Sequence, residues 1–461
     1  MAYPTDVEAV SQDTTKSLGH RKSKDGSLGS ESPSRCTKLE DERPESHLRY
    51  TKAQSTRAYY QVVALSWTLF LNGWDEGTTG AMLPKMQAVY RVDDTVIAMV
   101  FVSACLGFLF GACLNVPLSG TLGFGKVLVL GSVLQVIAYA IKSLAPPFPV
   151  FIVAYAISGA GIALQEAQAS GFVASLMNDT EVKMGVIHAC FGIGAFLAPL
   201  LATQFTQLEL QWSFFFMISL GSAIVNTVLL TVVFRLQSRD CCLAEIGESI
   251  DTTGCPTDEK EHGSLSQSHG SFTHILCNRN VHLMAVFLFV YIGMETTVGG
   301  WIVTFMGRER LSAAQAGYAG YVSSGFFGGL ALGTVGLLWF NSLVGERYAP
   351  LIYAALALGL ELVVWLVPSF IGGAVSIFMI GFFLGPIYPI TMNHAGRTLP
   401  REILAESIGW IAGFGQACSA VFPFMTGVLA GKFGIESLQP LLVSMIVVMM
   451  ILWVTINVAS R

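Results

Sequence analysis

From residue 58 onward the chain alternates long apolar blocks with short polar breaks. Twelve blocks are legible: 58–83, 94–118, 127–145, 148–177, 185–207, 212–235, 283–306, 314–340, 349–367, 370–394, 406–431 and 437–459. A run of about twenty apolar residues is long enough to cross a bilayer as a helix. A helix also satisfies its own backbone groups where no water can. The pattern predicts an all-α membrane protein with twelve transmembrane helices in two pseudo-symmetric six-helix bundles. The expected organisation is a disordered cytoplasmic tail over 1–57, an N-terminal bundle over 58–235, a cytoplasmic linker over 236–282 and a C-terminal bundle over 283–461.

Composition strengthens this reading. Hydrophobic residues make up 53% of the chain and charged residues 12%, with mean hydropathy +0.59, against roughly 25% charge in a soluble domain. The net charge of −5 resides mostly in tails and loops. No basic patch suggests nucleic acid, no phosphate-binding Gly-Lys loop suggests direct use of ATP, and no enzymatic activity is expected. The nine cysteines show no disulfide framework. Cys241, Cys242, Cys255, His262, His269 and His274 in the middle loop lack a known ligand spacing. No metal or cofactor is expected.

Lys and Arg set the orientation. With both termini inside, Lys126, Lys183, Arg235, Arg239, Lys260, Arg279, Arg347, Arg397 and Arg401 fall in inner loops. Lys85, Arg91, Lys142, Arg308, Arg310 and Lys432 fall in outer ones. The bias predicts a multi-pass protein with both termini cytoplasmic, and the one Asn-x-Thr sequon, at Asn178, then faces the cytoplasm.

The two halves resemble each other. "GVIHACFGIGAFLAP" from Gly185 matches "GWIAGFGQACSAVFP" from Gly409. "GFLFGACLN" from Gly107 matches "GFFGGLALG" from Gly325. "NGWDEGTTG" matches "IGMETTVGG", pairing Gly73 with Gly293 and Asp75 with Glu295. Three matches in one order indicate a duplicated six-helix unit.

Candidate chemistry lies in the carboxylates inside these blocks. An acid at a helix centre costs about 2.5–3.5 kcal/mol, while each Leu or Val returns about 0.3–0.6. Two adjacent acids, Asp75 and Glu76, nearly erase the margin of the first block. Such acids face water-filled cavities and carry protons, or they lock two helices together. Asp75, Glu76, Glu166 and Glu295 are the candidates for proton coupling. Glu361, close to Pro368, reads as an interfacial residue. Asn72, Asp75 and Thr79 share one helical face. Gln165 and Gln168 accompany Glu166 on a polar stripe. Trp74 and Trp301 lie near acids, and a Trp face there suits a sugar or an aromatic metabolite; the alternative is packing. Gly325, Gly329 and Gly333 form a small-residue stripe. Pro386 and Pro389 break the tenth block.

Three segments carry a family likeness: "EAQASGFV" from Glu166, "YIGMET" from Tyr291 and "GPIYP" ending at Pro389. With them, the chain resembles the major facilitator superfamily over nearly its whole length after residue 57. Within it the chain is similar to the fucose–proton symporter group, in a fungal branch. The resemblance implies two parallel six-helix repeats with a midplane site. It also implies an essential protonatable role for Glu166 and a cavity position for Tyr388. Asn115 fits the group. The first-helix acid of the bacterial symporter falls at Gly80 here, and the loop signature between helices two and three has decayed to "SGTLGFGK". The implied function is proton-coupled symport of a sugar-like solute by alternating access. The alternatives are efflux of a secondary metabolite and a solute sensor on the same fold. The expected partners are a small-molecule substrate, protons and the lipid bilayer. The expected protein is a monomer, in the plasma membrane ahead of the vacuolar membrane.

Overall fold

A computed structural model describes residues 51–176, 179–208, 212–247, 278–312, 315–345, 347–399 and 404–459. The described residues contain helices and no strands. The first set is α1 Lys52–Tyr90, α2 Asp94–Ile97, α3 Met99–Leu122, α4 Phe124–Ser143, α5 Phe148–Ala174, α6 Thr180–Thr206, α7 Phe214–Phe234 and α8 Arg239–Glu245. The second is α9 Arg279–Glu309, α10 Gly320–Gly336, α11 Leu338–Val344, α12 Ala349–Leu366, α13 Phe370–Leu384, α14 Ile387–Thr398, α15 Leu404–Gln416, α16 Cys418–Phe433 and α17 Leu438–Ala459. The sequon asparagine, the 248–277 stretch with Cys255 and its three histidines, and residues 1–50 lie outside the described residues.

Ten helical spans among the described residues are long and apolar enough to cross a membrane. The first and eighth apolar blocks are helical too but differ in kind. α1 is 39 residues long, and Asn72, Asp75 and Glu76 interrupt its apolar character. α10 has 17 residues, short for a span and rich in glycine. These two helices meet the cavity described below, so their departure from a lipid-facing composition has a physical cause.

Local chemistry sets the helix ends. Thr51 caps α1 by accepting from the Gln54 N–H, and Gln54 bonds back to the Thr51 N–H at 2.9 Å, a capping box. The tenth block breaks between Leu384 and Ile387, where Pro386 has no N–H to continue the ladder. The eleventh block breaks at Ala417. There the Cys418 thiol and Ser419 hydroxyl donate to the carbonyls of Gly415 and Gln416, competing with the ladder. The start of the expected linker is ordered. α8 is docked by an Arg57–Glu245 ion pair of 2.7 Å.

In the first set α1 packs on α6, and α5 packs on α3 and α4; in the second α9 packs on α15, α16 and α17, and α10 on α13. The sets meet through α1 with α9, α6 with α10, and α2 and α3 with α16.

The close-packed glycines correct the repeat register. A Cβ on Gly107 would lie 1.9 Å from the Ala156 carbonyl oxygen, and one on Gly329 would lie 2.1 Å from that of Phe378. Gly111 and Gly333 approach Ala160 and Phe382 in the same way. Gly107 therefore corresponds to Gly329, one turn beyond the Gly325 that the motif match selects. Gly325 has only the Phe378 Cβ near it, at 3.9 Å. A Gly-x-x-x-Gly stripe aligns equally well after a one-turn slip, so sequence matching had no means of choosing.

Candidate functional site

A cavity of about 170 Å³ lies where the two helix sets meet. Its polar wall includes Asn72, Asp75, Glu76 and Thr79 of α1, Glu166 of α5, Thr296 of α9, Gln416 of α15 and Ser419 of α16. Phe101, Phe108, Tyr155, Phe191 and Phe327 supply aromatic surface. Among the described residues the lining contains no Lys, Arg or His.

The four coupling candidates differ in their surroundings. Asp75 is buried and paired: Lys142 Nζ lies 3.2 Å from Oδ1, and Ser158 Oγ donates to Oδ2 at 3.1 Å. Lys142 is wholly buried, and its ammonium stands 3.8 Å from the centre of the Tyr155 ring. This ammonium, assigned above to an outer loop, sits in the last turn of α4. The sequence carried a signal for it, because Gln135, Tyr139 and Lys142 recur at i, i+4 and i+7 on one helical face. Gln135 meets Asn72, its Nε2 donating to Oδ1 at 3.0 Å.

Glu76 and Glu166 are half-buried in the cavity wall. Among the described residues neither pairs with a cation or accepts a hydrogen bond. Glu76 stands within electrostatic reach of Glu295, Glu166 and Asp75. Glu295 lies beside the cavity rather than in its wall, one turn from Tyr291, whose hydroxyl donates to the Leu384 carbonyl at 3.2 Å. Tyr388, expected in the cavity, is 38% exposed and lies outside its lining, within electrostatic reach of Glu166 and Glu295.

The other candidate contacts are engaged inside the helix sets. Trp74 donates to Ser219 Oγ at 2.9 Å and stacks on Phe215 with ring centres 5.5 Å apart. Trp301 is fully buried and donates to the Pro423 carbonyl at 2.9 Å. Gln165 accepts from Asn226 Nδ2 at 3.0 Å, and Gln168 donates to Asn115 Oδ1 at 2.6 Å. None of these four lines the cavity. Glu361 is not interfacial: it is fully buried in α12, and its carboxylate oxygens have no hydrogen-bond partner among the described residues. Gly80 has no room for the acid that the symporter likeness would put there, because a Cβ would lie 1.8 Å from the Gly299 oxygen.

The end of the molecule where α1 finishes at Tyr90 carries a clasp between the sets. Arg308 of α9 donates to both Asp94 oxygens of α2, at 2.9 and 2.8 Å, and to Gln87 of α1 at 2.7 Å. Gln87 also donates to Asp94, at 2.8 Å. A forked guanidinium on a carboxylate fixes geometry as well as charge. Thr203 against Gly320 and Thr95 against the Gly427 carbonyl close the same end.

Solved transporters share this arrangement of helices. A D-xylose–proton symporter superposes with a TM-score of 0.67 at 14% identity, over 86% of this chain and 97% of that one. The nucleoside transporter NupG gives 0.68 at 12% identity, over 86% and 99%. The fucose–proton symporter FucP of E. coli gives 0.58 at 14% identity, over 88% and 99%. Likeness at these identities carries the fold alone. "Bypass of stop codon protein 6" of Saccharomyces cerevisiae is 25% identical over 408 residues, 85% of this chain and 81% of that one. The family model of the Major Facilitator Superfamily matches residues 65–423, and the chain therefore belongs to that superfamily of multi-pass membrane transporters.

Proposed function

We propose that the chain is a proton-coupled secondary transporter of a small organic solute, working by alternating access. One observation carries this reading: among the described residues, Glu76 and Glu166 stand without a cation in a cavity at the meeting surface of two helix sets. An unpaired carboxylate at membrane depth is costly unless it takes up a proton or meets a ligand. Loading and unloading the cavity then changes its charge. Glu166 is the principal proton carrier and Glu76 the second, with Glu295 behind it. Asp75 is engaged by Lys142 and Ser158 and so holds α1 to α4 and α5. The Arg308–Asp94 clasp closes the Tyr90 end and breaks when that side opens. The Lys and Arg bias supports a cytoplasmic face at the Lys52 end. One chain encloses the cavity, so a monomer suffices. A sugar-like cargo, implied by the motif likeness, would find Asn72 and the carboxylates as hydroxyl partners. It would not find Trp74 or Trp301 as stacking surfaces.

The test is proton movement in proteoliposomes loaded with a pH-sensitive dye and challenged with sugars, polyols, amines, amino acids and organic acids. At least one class drives proton flux with the unmodified protein, and Glu166→Gln abolishes it while folding normally by gel filtration. Unchanged flux in Glu166→Gln removes that residue from the mechanism.

A further inference from the structure

The cavity has more negative than positive charge near it. Asp75, Glu76 and Glu166 line it, and Glu295 acts on Glu76 from behind. Lys142 answers only Asp75, from outside the lining. Aromatic rings from Phe101, Phe108, Phe191 and Phe327 make up much of the remaining wall. Carboxylates with aromatic faces are a receptor for an organic cation, which the rings attract and the acids neutralise.

A second observation concerns the ligand's other end. Asn72 is 1% exposed and lines the cavity. Its Oδ1 is taken by Gln135, while its Nδ2 has no partner among the described residues. A buried donor left unmade costs about 1–3 kcal/mol, and a turn of this buried amide toward the cavity would let a ligand oxygen satisfy it. Resting on the transport reading above, we propose that the cargo is a small organic cation carrying a hydrogen-bond-accepting oxygen, of the amino-alcohol class. The cation and the transported protons compete for Glu76 and Glu166. Competition for the same carboxylates makes the transport an exchange: the cation leaves as protons enter, and the reverse.

Choline and its neutral carbon isostere, 3,3-dimethyl-1-butanol, separate charge from shape. Ethyltrimethylammonium separates charge from the oxygen. Equilibrium binding of radiolabelled choline is measured on purified protein at pH 8 and pH 6, with the other two as competitors. Choline binds at pH 8, and the neutral isostere competes at least about tenfold more weakly, a difference of about 1.4 kcal/mol. Choline affinity falls several-fold at pH 6. Asn72→Leu weakens choline several-fold and leaves ethyltrimethylammonium unchanged, a split that general misfolding would not give.

The assignment is overturned if choline fails to bind, or if the isostere competes within twofold of it. If a neutral sugar drives proton flux that Glu166→Gln abolishes, the cation cargo falls and the proton-coupled transport reading stands. If choline binds with the expected pH dependence but no solute moves protons, the transport reading falls and the cation site stands.

Discussion

The interior of α1–α7 and that of α9–α17 follow one plan but are joined by different forces. In the first set, side chains bond to side chains across helices. Thr68 donates to Asn226 at 3.0 Å, Asn226 to Gln165 at 3.0 Å, and Gln135 to Asn72 at 3.0 Å, with the Lys142–Asp75–Ser158 triad one turn further on. In the second set, polar side chains return mainly to backbone carbonyls. Thr297 donates to Gly293, Thr391 to Ile387 and Thr426 to Phe422 within their own helices, while Trp301 and Tyr291 donate to the carbonyls of Pro423 and Leu384. A hydroxyl bonded to its own helix places no constraint on a neighbouring helix. Glycine approach closes helix pairs in both sets, and the first set adds side-chain bonds that tie α1, α4, α5 and α7 together. Glu76 and Glu166, the proton carriers of the proposed mechanism, belong to the first set.

Removing Lys142 should break the comparison hardest. Lys142→Met leaves the Asp75 carboxylate buried and unpaired, which costs about 3–5 kcal/mol. Thermal unfolding in detergent should drop steeply, and Asp75→Asn in the same chain should restore most of it. Equal losses in the single and double variants would mean that the pair does not organise the first set. Next comes the glycine seam of the second set. Gly329→Val drives atoms into the Phe378 carbonyl and should cost about 1–3 kcal/mol, while Gly325→Val, where a Cβ would have the Phe378 Cβ at 3.9 Å, should cost far less. The reverse order would restore the register that motif matching gives.

The clasp between the sets should matter less, because the Arg308 side chain is 40% exposed and screened by water. Arg308→Gln should shift the balance between closed and open Tyr90 ends by about 1 kcal/mol, roughly fivefold. Spin labels at Val89 and Tyr318, both exposed, should then show more of a longer distance. The smallest effect should come from Thr426→Val, which loses a bond only to its own helix, within about 0.5 kcal/mol.

Much of this was legible in the sequence, for reasons that particular residues make clear. Blocks of apolar residues fix helices, and Pro386 fixes the break between α13 and α14. The duplicated plan shows in matched glycines, but their one-turn register depends on which backbone carbonyl each approaches. Acids in α1 and α5 announce a polar interior, yet not which acid has a partner. That depended on Lys142, which lies near a helix end where a lysine ordinarily reaches the interface; burial against Tyr155 is a tertiary fact. Trp74 and Trp301 stand near acids in sequence, but each indole N–H turns to Ser219 Oγ or the Pro423 carbonyl instead of the cavity.

The division of labour among the carboxylates is tested most directly by counting protons. In dye-loaded proteoliposomes, proton movement per transported solute should vanish with Glu166→Gln and persist with the paired replacement Asp75→Asn and Lys142→Met. Proton movement that survives in Glu166→Gln and is lost in the paired replacement would place the transported proton on Asp75 and contradict the assignment.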